Sequence, residues 1–218
     1  MSARFALLVF DWDGTLMDST SIIVQSLQAA CLDLHMPVPD QERARYIIGL
    51  SMHDSLAHLL PDIDPSEYTR IAEHYGSHFR RLSPETPLFA GTEDALRELK
   101  SAGYMLGVAT GKSRRGLDRE LARTRLAEVF HATRCGEESG GKPHPGMLHE
   151  LTRSLGVAAS GTLMIGDTTH DMQMAANAGV AALGVSYGAH SREQLMELSP
   201  LACIDQPREL WQWISLHA

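Results

Sequence analysis

Asp11 and Asp13 lie two residues apart in Asp11-Trp12-Asp13-Gly14-Thr15-Leu16, and a second acidic pair stands in Gly166-Asp167-Thr168-Thr169-His170-Asp171. Between the pairs come Thr110-Gly111 and, in the loop Gly141-Lys142-Pro143, Lys142. Asp11 and Asp167 offer hard oxygen ligands to Mg²⁺, which keeps several waters and binds through a few carboxylates plus substrate phosphate. Lys142 balances that crowd of carboxylates and can touch a phosphoryl group. Thr110 and the amide of Gly111, at a helix start, suit phosphate oxygens. Singly, each has a plainer reading: a threonine that caps a helix, a solvated loop lysine, acids at a helix N-terminus where the macrodipole favours them. Their shared position at strand ends joins them.

The strands and helices that must position them can be read from the apolar pattern. Phe5-Ala6-Leu7-Leu8-Val9-Phe10 is an unbroken apolar run, as expected of a strand buried on both faces in a parallel sheet. It ends in Asp11, and Gly14 lets the backbone turn sharply. From about Thr20 to Leu82 the periodicity is helical, with four short helices: from Ser19 or Ser21 towards Leu34, from Asp40 to Gly49, from Met52 to Leu60, and from Ser66 to about Leu82. Pro-rich Ser83-Pro84-Glu85-Thr86-Pro87 reads as a hinge. After Leu88 helix and strand alternate, which signals a doubly wound parallel sheet. Strands are expected at Tyr104–Ala109, His131–Cys135, Thr162–Ile165 and Val180–Val185, and a closing helix at Pro207–Leu216 with Leu210, Trp211 and Ile214 inward. The expected fold is thus an α/β, Rossmann-like core at 1–18 and 84–218, with a small inserted helical cap at 19–83. Ligands of open α/β sheets bind beyond the carboxyl ends of the strands, where the acids fall.

Asp11 to Leu16, continued by Met17-Asp18-Ser19, resembles the opening motif Asp-x-Asp-Gly-Thr-Leu-x-Asp-Ser of the haloacid dehalogenase-like phosphatases. Thr110, Lys142 and Gly166 to Asp171 then match that superfamily's later motifs in order. Within it the chain resembles the phosphoglycolate phosphatase-like group with a helical cap. The resemblance implies a Mg²⁺-dependent phosphatase acting on a small phosphorylated metabolite, a phosphoglycolate-like phosphomonoester. It implies that Asp11 is the nucleophile that becomes an aspartyl-phosphate. Asp13 would protonate the leaving oxygen and then activate water, while its backbone carbonyl joins Asp11 and Asp167 around the metal. Asp171 would act from behind the ligands, orienting Lys142 or a metal-bound water.

Two other readings share the acids. A sugar phosphomutase of this fold resembles Gly-Val-Ser-Arg in the cap loop; here Gly49-Leu50-Ser51-Met52 has no arginine. A non-enzymatic phospho-receiver has about half this length and no helical insertion after its first strand. Dehalogenation is disfavoured because displacing a halide has no use for Asp13. Gly107 to Ser113 resembles a nucleotide-binding phosphate loop, but Leu106 stands where that motif needs glycine. His74 and His78 have a spacing zinc can use, with no third ligand evident, and read as a polar face. The Arg114-Arg115 pair could be a solvated helix start or an attractor for phosphate.

With 19 basic and 27 acidic residues the 218-residue chain carries a formal charge of −8 and no basic run, which argues against nucleic acid or an anionic membrane as partner. Cys31, Cys135 and Cys203 are far apart and read as free thiols in a reducing cytosol. The first apolar run is too short for a signal or a membrane span. The expectation is a cytoplasmic monomer or homodimer.

Overall fold

A computed structural model describes residues 4–218; residues 1–3 of the expected core segment lie outside the described residues. In chain order the elements are β1 (Leu7–Phe10), α1 (Thr20–Asp33), α2 (Gln41–Tyr46), α3 (Met52–Leu59), α4 (Tyr68–Leu82) and α5 (Thr92–Ser101). Then come β2 (Met105–Thr110), α6 (Arg114–Thr124), β3 (Ala132–Cys135), α7 (Gly136–Ser139), α8 (Gly146–Leu155) and β4 (Thr162–Gly166). The chain closes with α9 (Thr169–Ala178), β5 (Ala181–Val185), α10 (Arg192–Met196), β6 (Cys203–Ile204) and α11 (Pro207–His217).

All four residues of β1 are buried. Successive side chains of a strand point to opposite faces, so Leu8 and Phe10 enter one apolar cluster, while Leu7 and Val9 enter another. The first also holds Leu96 of α5, Leu117 and Leu121 of α6, and Leu210 and Ile214 of α11. The second is filled by Met147, Leu148 and Leu151 of α8 and by Met174, Ala175 and Ala178 of α9. A strand with two apolar faces belongs inside a sheet. The six strands run in the order β3-β2-β1-β4-β5-β6, and every pairing is parallel. Phe10 is level with Val108 on β2 and Ile165 on β4. Asp11, Thr110 and Asp167 therefore leave three adjacent strands within a residue of one another, at the sheet's carboxyl edge.

Helices α1 to α4 bury a cluster of their own, with Ile23, Val24, Leu27 and Cys31 of α1 against Leu56 and Leu59 of α3 and Ile71 and Phe79 of α4. The chain leaves for these helices and returns at neighbouring points: Met17 bridges Leu88, Asp18 N donates to Pro87 O (3.1 Å) and Phe89 N to Leu16 O (2.9 Å). Further ties run from the end of α2 to the core. Arg45 Nη2 donates to Gly188 O at 2.6 Å, and the Nε2 atoms of His170 and His190 lie 2.8 and 3.0 Å from Tyr46 O.

Several local expectations change. Ser19 stands at the start of α1 but makes no side-chain cap; its hydroxyl is turned to Asp13 instead, at 2.6 Å. Helix α2, capped by Asp40 through Arg43 N, stops at Tyr46 rather than Gly49. Pro65–Glu67 is a 3₁₀ turn ahead of α4. Trp211 is only half-buried, its ring 6.1 Å from that of Phe10. The short elements α7, α10 and β6 were not foreseen, because segments of two to five residues are too brief to show a period. The three cysteines are free and buried, as expected. No helix among the described residues is long and apolar enough to cross a membrane.

Gly14 closes the turn after β1 with φ +81°, donating its N–H to Met17 O at 2.8 Å. A Cβ there would overlap the carboxylate of Asp167. Gly14→Ala should therefore lose more than the ~1–2 kcal/mol of left-handed backbone strain, because Asp167 must also move. Urea unfolding of both proteins measures this; wild-type stability in the variant would show that the turn tolerates a side chain.

Candidate active site

Burial and opposite charge govern the innermost part of the site. Asp11, Asp167 and Asp171 are fully buried, and each offers a carboxylate oxygen such that the three lie within 4.8 Å of one another. Among the described residues, no other group of three His, Cys, Asp or Glu meets at this distance. Lys142, also buried, places its ammonium 2.9 Å from Asp11 Oδ2 and 2.6 Å from Asp171 Oδ1. Removing one partner of a buried pair typically costs ~3–5 kcal/mol, since the other charge is left without a counter-charge.

Each acid is also held from behind. Asp11 Oδ1 accepts from Trp12 N at 2.7 Å. Asp167 Oδ1 accepts from Thr15 Oγ1 (2.8 Å) and its Oδ2 from Ala189 N (2.7 Å). Asp171 caps its own helix, α9: Oδ2 accepts from Thr168 N and Oγ1, at 3.1 and 2.6 Å. With that oxygen spent, Asp171 presents only Oδ1, and it presents it to Lys142.

Asp13 has a different environment. Its Oδ1 accepts from Ser19 Oγ, and Lys112 Nζ lies 2.9 and 2.7 Å from its two oxygens. Thr110, buried at the end of β2, accepts the amide of Lys112 on Oγ1 at 3.3 Å. Gly111 lies under the backbone carbonyls of Gly49 and Leu50, so close that a Cβ would overlap them. The loop after α2 thus covers the edge at which Thr110 and Gly111 sit.

A cavity of about 370 Å³ opens over Asp11 and Asp13 between the sheet edge and helices α1 to α4. Ile23, Leu27, Ile48, Leu50 and Phe79 give it apolar walls, and Lys112, Arg80, Arg115 and Arg119 bring positive charge. Burial, with Asp13 close by, pushes the Tyr75 hydroxyl above its ordinary range, so it stays protonated. Of the Arg114-Arg115 pair, only Arg115 lines the cavity. Arg114 is committed to Glu138, Asp118 and Thr133. His74 and His78 both hydrogen-bond Asp33 Oδ2, at 3.3 and 2.7 Å.

Sequence reasoning did not single out Lys112, Ser19, Thr15, Tyr75, Phe79 or Arg119 as site residues. For Lys112 a signal existed, two residues after Thr110, but it was read only as part of an imperfect phosphate loop. Thr15 and Ser19 lie inside the opening motif. The residues from α4 carry no motif.

The charges in this pocket do not balance. Burial, and then the neighbouring acids Asp171 and Asp13, push the Asp11 carboxyl up to about 7 against the pull of Lys142. Burial, Asp11 and Asp171 push Asp167 well above the ordinary carboxylate range. Burial opposes the charge of Lys142, yet Asp11 and Asp171 outweigh it and keep the amine protonated. Three carboxylates facing one ammonium leave a deficit of positive charge that a hard divalent cation fits. Asp11, Asp167 and Asp171 are the carboxylates that meet there.

Residues 8–185 match the family model described as haloacid dehalogenase-like hydrolase. The chain is 36% identical over 204 residues to "Probable phosphatase IndB" of Dickeya dadantii, covering 91% of this chain and 89% of that protein. It is 33% identical over 201 residues to a 5'-nucleotidase of Pseudomonas aeruginosa, covering 90% of each. Identity to a phosphoglycolate phosphatase of Colwellia psychrerythraea is 26% over 213 residues, 94% of each. Among solved structures, a hydrolase from Pseudomonas syringae superposes with a TM-score of 0.89 at 23% identity, over 98% of this chain and 99% of that one, which shows the same fold. The chain belongs to the haloacid dehalogenase-like hydrolases and is one of their phosphatases.

Proposed function

We propose that the chain hydrolyses a small phosphomonoester through an aspartyl-phosphate on Asp11, with Mg²⁺ as its cofactor. The carrying observation is that two carboxylates on one turn have opposite surroundings. Both line the cavity, but Asp11 is sunk beside Lys142 and the acid cluster, whereas Asp13 lies between Ser19 and Lys112. A carboxylate at the bottom of a phosphate site is placed for in-line attack, and one beside the leaving oxygen is placed for proton transfer.

Asp11 attacks phosphorus while Thr110, the amide of Gly111 and Lys142 hold the phosphoryl oxygens. Asp13 gives its proton to the departing alkoxide, and the alcohol leaves into the cavity. Asp13, now ionised, takes a proton from water as that water attacks the aspartyl-phosphate, which frees phosphate and restores Asp11. Mg²⁺, held by Asp11, Asp167 and the backbone carbonyl of Asp13, would supply positive charge against the developing negative charge. Asp171 fixes Lys142.

Helices α1 to α4, spanning 19–83, act in this reading as a cap that selects the leaving group, with hinges at the Met17–Leu88 crossing. Apolar walls and arginines suit a small leaving group carrying its own negative charge, as the carboxylate of phosphoglycolate does. The names of the relatives, 5'-nucleotidase and phosphoglycolate phosphatase among them, fit anionic esters of modest size.

Two outcomes follow for the metal and the cavity. Between the unfolded carboxyl value and the raised native ones, the metal-free protein should hold protons on Asp11 and Asp167 that the unfolded chain has lost. In chelator, stability should thus fall as pH rises from Asp11's unfolded value of 3.8 through about 7. Mg²⁺ replaces those protons, so the rise in Tm on adding it should be larger near pH ~7.5 than near pH ~5.5. An equal rise at both, or none, contradicts the ligand assignment. For the cavity, Arg115→Gln should raise KM for phosphoglycolate roughly three- to tenfold, the worth of one charge-assisted hydrogen bond at a partly exposed site. KM for an aryl phosphate whose leaving group carries no charge of its own should not move. Equal effects on the two substrates would remove Arg115 from leaving-group recognition.

A further inference from the structure

Asp13 is gripped by a lysine that the chemistry above does not need. Lys112 follows β2, and its ammonium touches both oxygens of Asp13, at 2.7 and 2.9 Å. The two side chains are only 8% and 10% exposed. The same ammonium lies 4.7 Å from the ring centroid of Phe79, on α4. Ser19 completes the grip from the first turn before α1, donating to Oδ1 alone.

One hydrogen bond to one oxygen leaves a carboxylate free to rotate about its last torsion. A donor shared between both oxygens fixes the plane. Proton transfer to a leaving oxygen needs a heavy-atom approach of ~2.6–3.2 Å, and a misplacement of ~1 Å can cost 10²-fold in rate. We propose that Lys112 is a positioning residue that aims Asp13 at the leaving-group oxygen, and that Phe79 seats Lys112 there when α4 lies over the core. The cap would then do more than choose the ester: by pressing Phe79 onto Lys112 it would also set the acid–base carboxylate. This rests on the reading of Asp13 as the proton-transfer group.

The full-length enzyme, saturated with Mg²⁺, tests it with an alkyl phosphate, whose leaving group needs a proton, and an aryl phosphate, whose leaving group scarcely does. Lys112→Met should lower kcat on the alkyl ester by roughly 10- to 100-fold, with KM within about twofold. On the aryl ester it should give a burst of phenolate near one per enzyme, followed by slow turnover, since the second step still waits on Asp13. Lys112→Arg should restore most of the alkyl rate. Phe79→Leu should show the same pattern more weakly. In an Asp13→Asn background, Lys112→Met should add less than about twofold, because residues acting as one unit are not additive. A rise in KM with kcat intact would make Lys112 a substrate ligand and overturn the proposal. So would a full additional loss in the Asp13→Asn background, or equal loss on both esters with no burst and no recovery by arginine. Wild-type kinetics for Phe79→Leu would remove the cap's share in it. If Asp13→Asn alone shows no preference for the aryl ester, the role of Asp13 fails first, and that result is distinct from all of these.

Discussion

A buried ammonium between buried carboxylates is the constraint around which this protein is arranged. Lys142 stands buried between Asp11 and Asp171, and Asp167 adds a third acid beside them. Charges in so dry a place must be paired or neutralised. Each acid here has fixed hydrogen-bond donors at its back, so the cluster does not relieve its repulsion by rotating away. The unsatisfied part of the balance is positive charge, which a divalent cation would supply.

The sheet exists to make that arrangement possible. Leu7 to Phe10 are buried on both faces, so β1 must be central, and the strand order puts its carboxyl end between those of β2 and β4. Asp11, Thr110 and Asp167 then converge without long loops. Asp13, two residues on, lines the same cavity but pairs with Ser19 and Lys112 rather than with the acid cluster. One turn delivers one carboxylate to the charge cluster and another to the helices. Gly14 and Gly188 allow the turn after β1 and the loop after β5 to close on Asp167, which a Cβ at either would displace.

Much of this was legible in the sequence where a short stretch carries the whole signal. An unbroken apolar run ending in two acids places a strand and its edge, and prolines and glycines mark most helix ends. Charge balance puts Lys142 among the carboxylates, but nothing in a Gly-Lys-Pro loop says which of them it faces. The site residues that were missed depend on pairings across the chain. Lys112 reaches Asp13 across 99 positions, and Thr15 reaches Asp167 across 152. Ser19 was read as a helix cap, the commonest use of a serine there, but Asp13 lies within reach and takes the hydroxyl instead. Local pattern gives the element, and only the fold tells which partner wins.

Covalent transfer through Asp11 is tested most directly by the stereochemical course at phosphorus. A thiophosphate monoester made chiral by oxygen isotopes is hydrolysed in water bearing a third isotope, and the configuration of the released thiophosphate is read. Attack by Asp11 followed by attack of water is two in-line displacements, and predicts net retention. Net inversion would mean that water attacks the substrate directly, and would contradict the role given to Asp11.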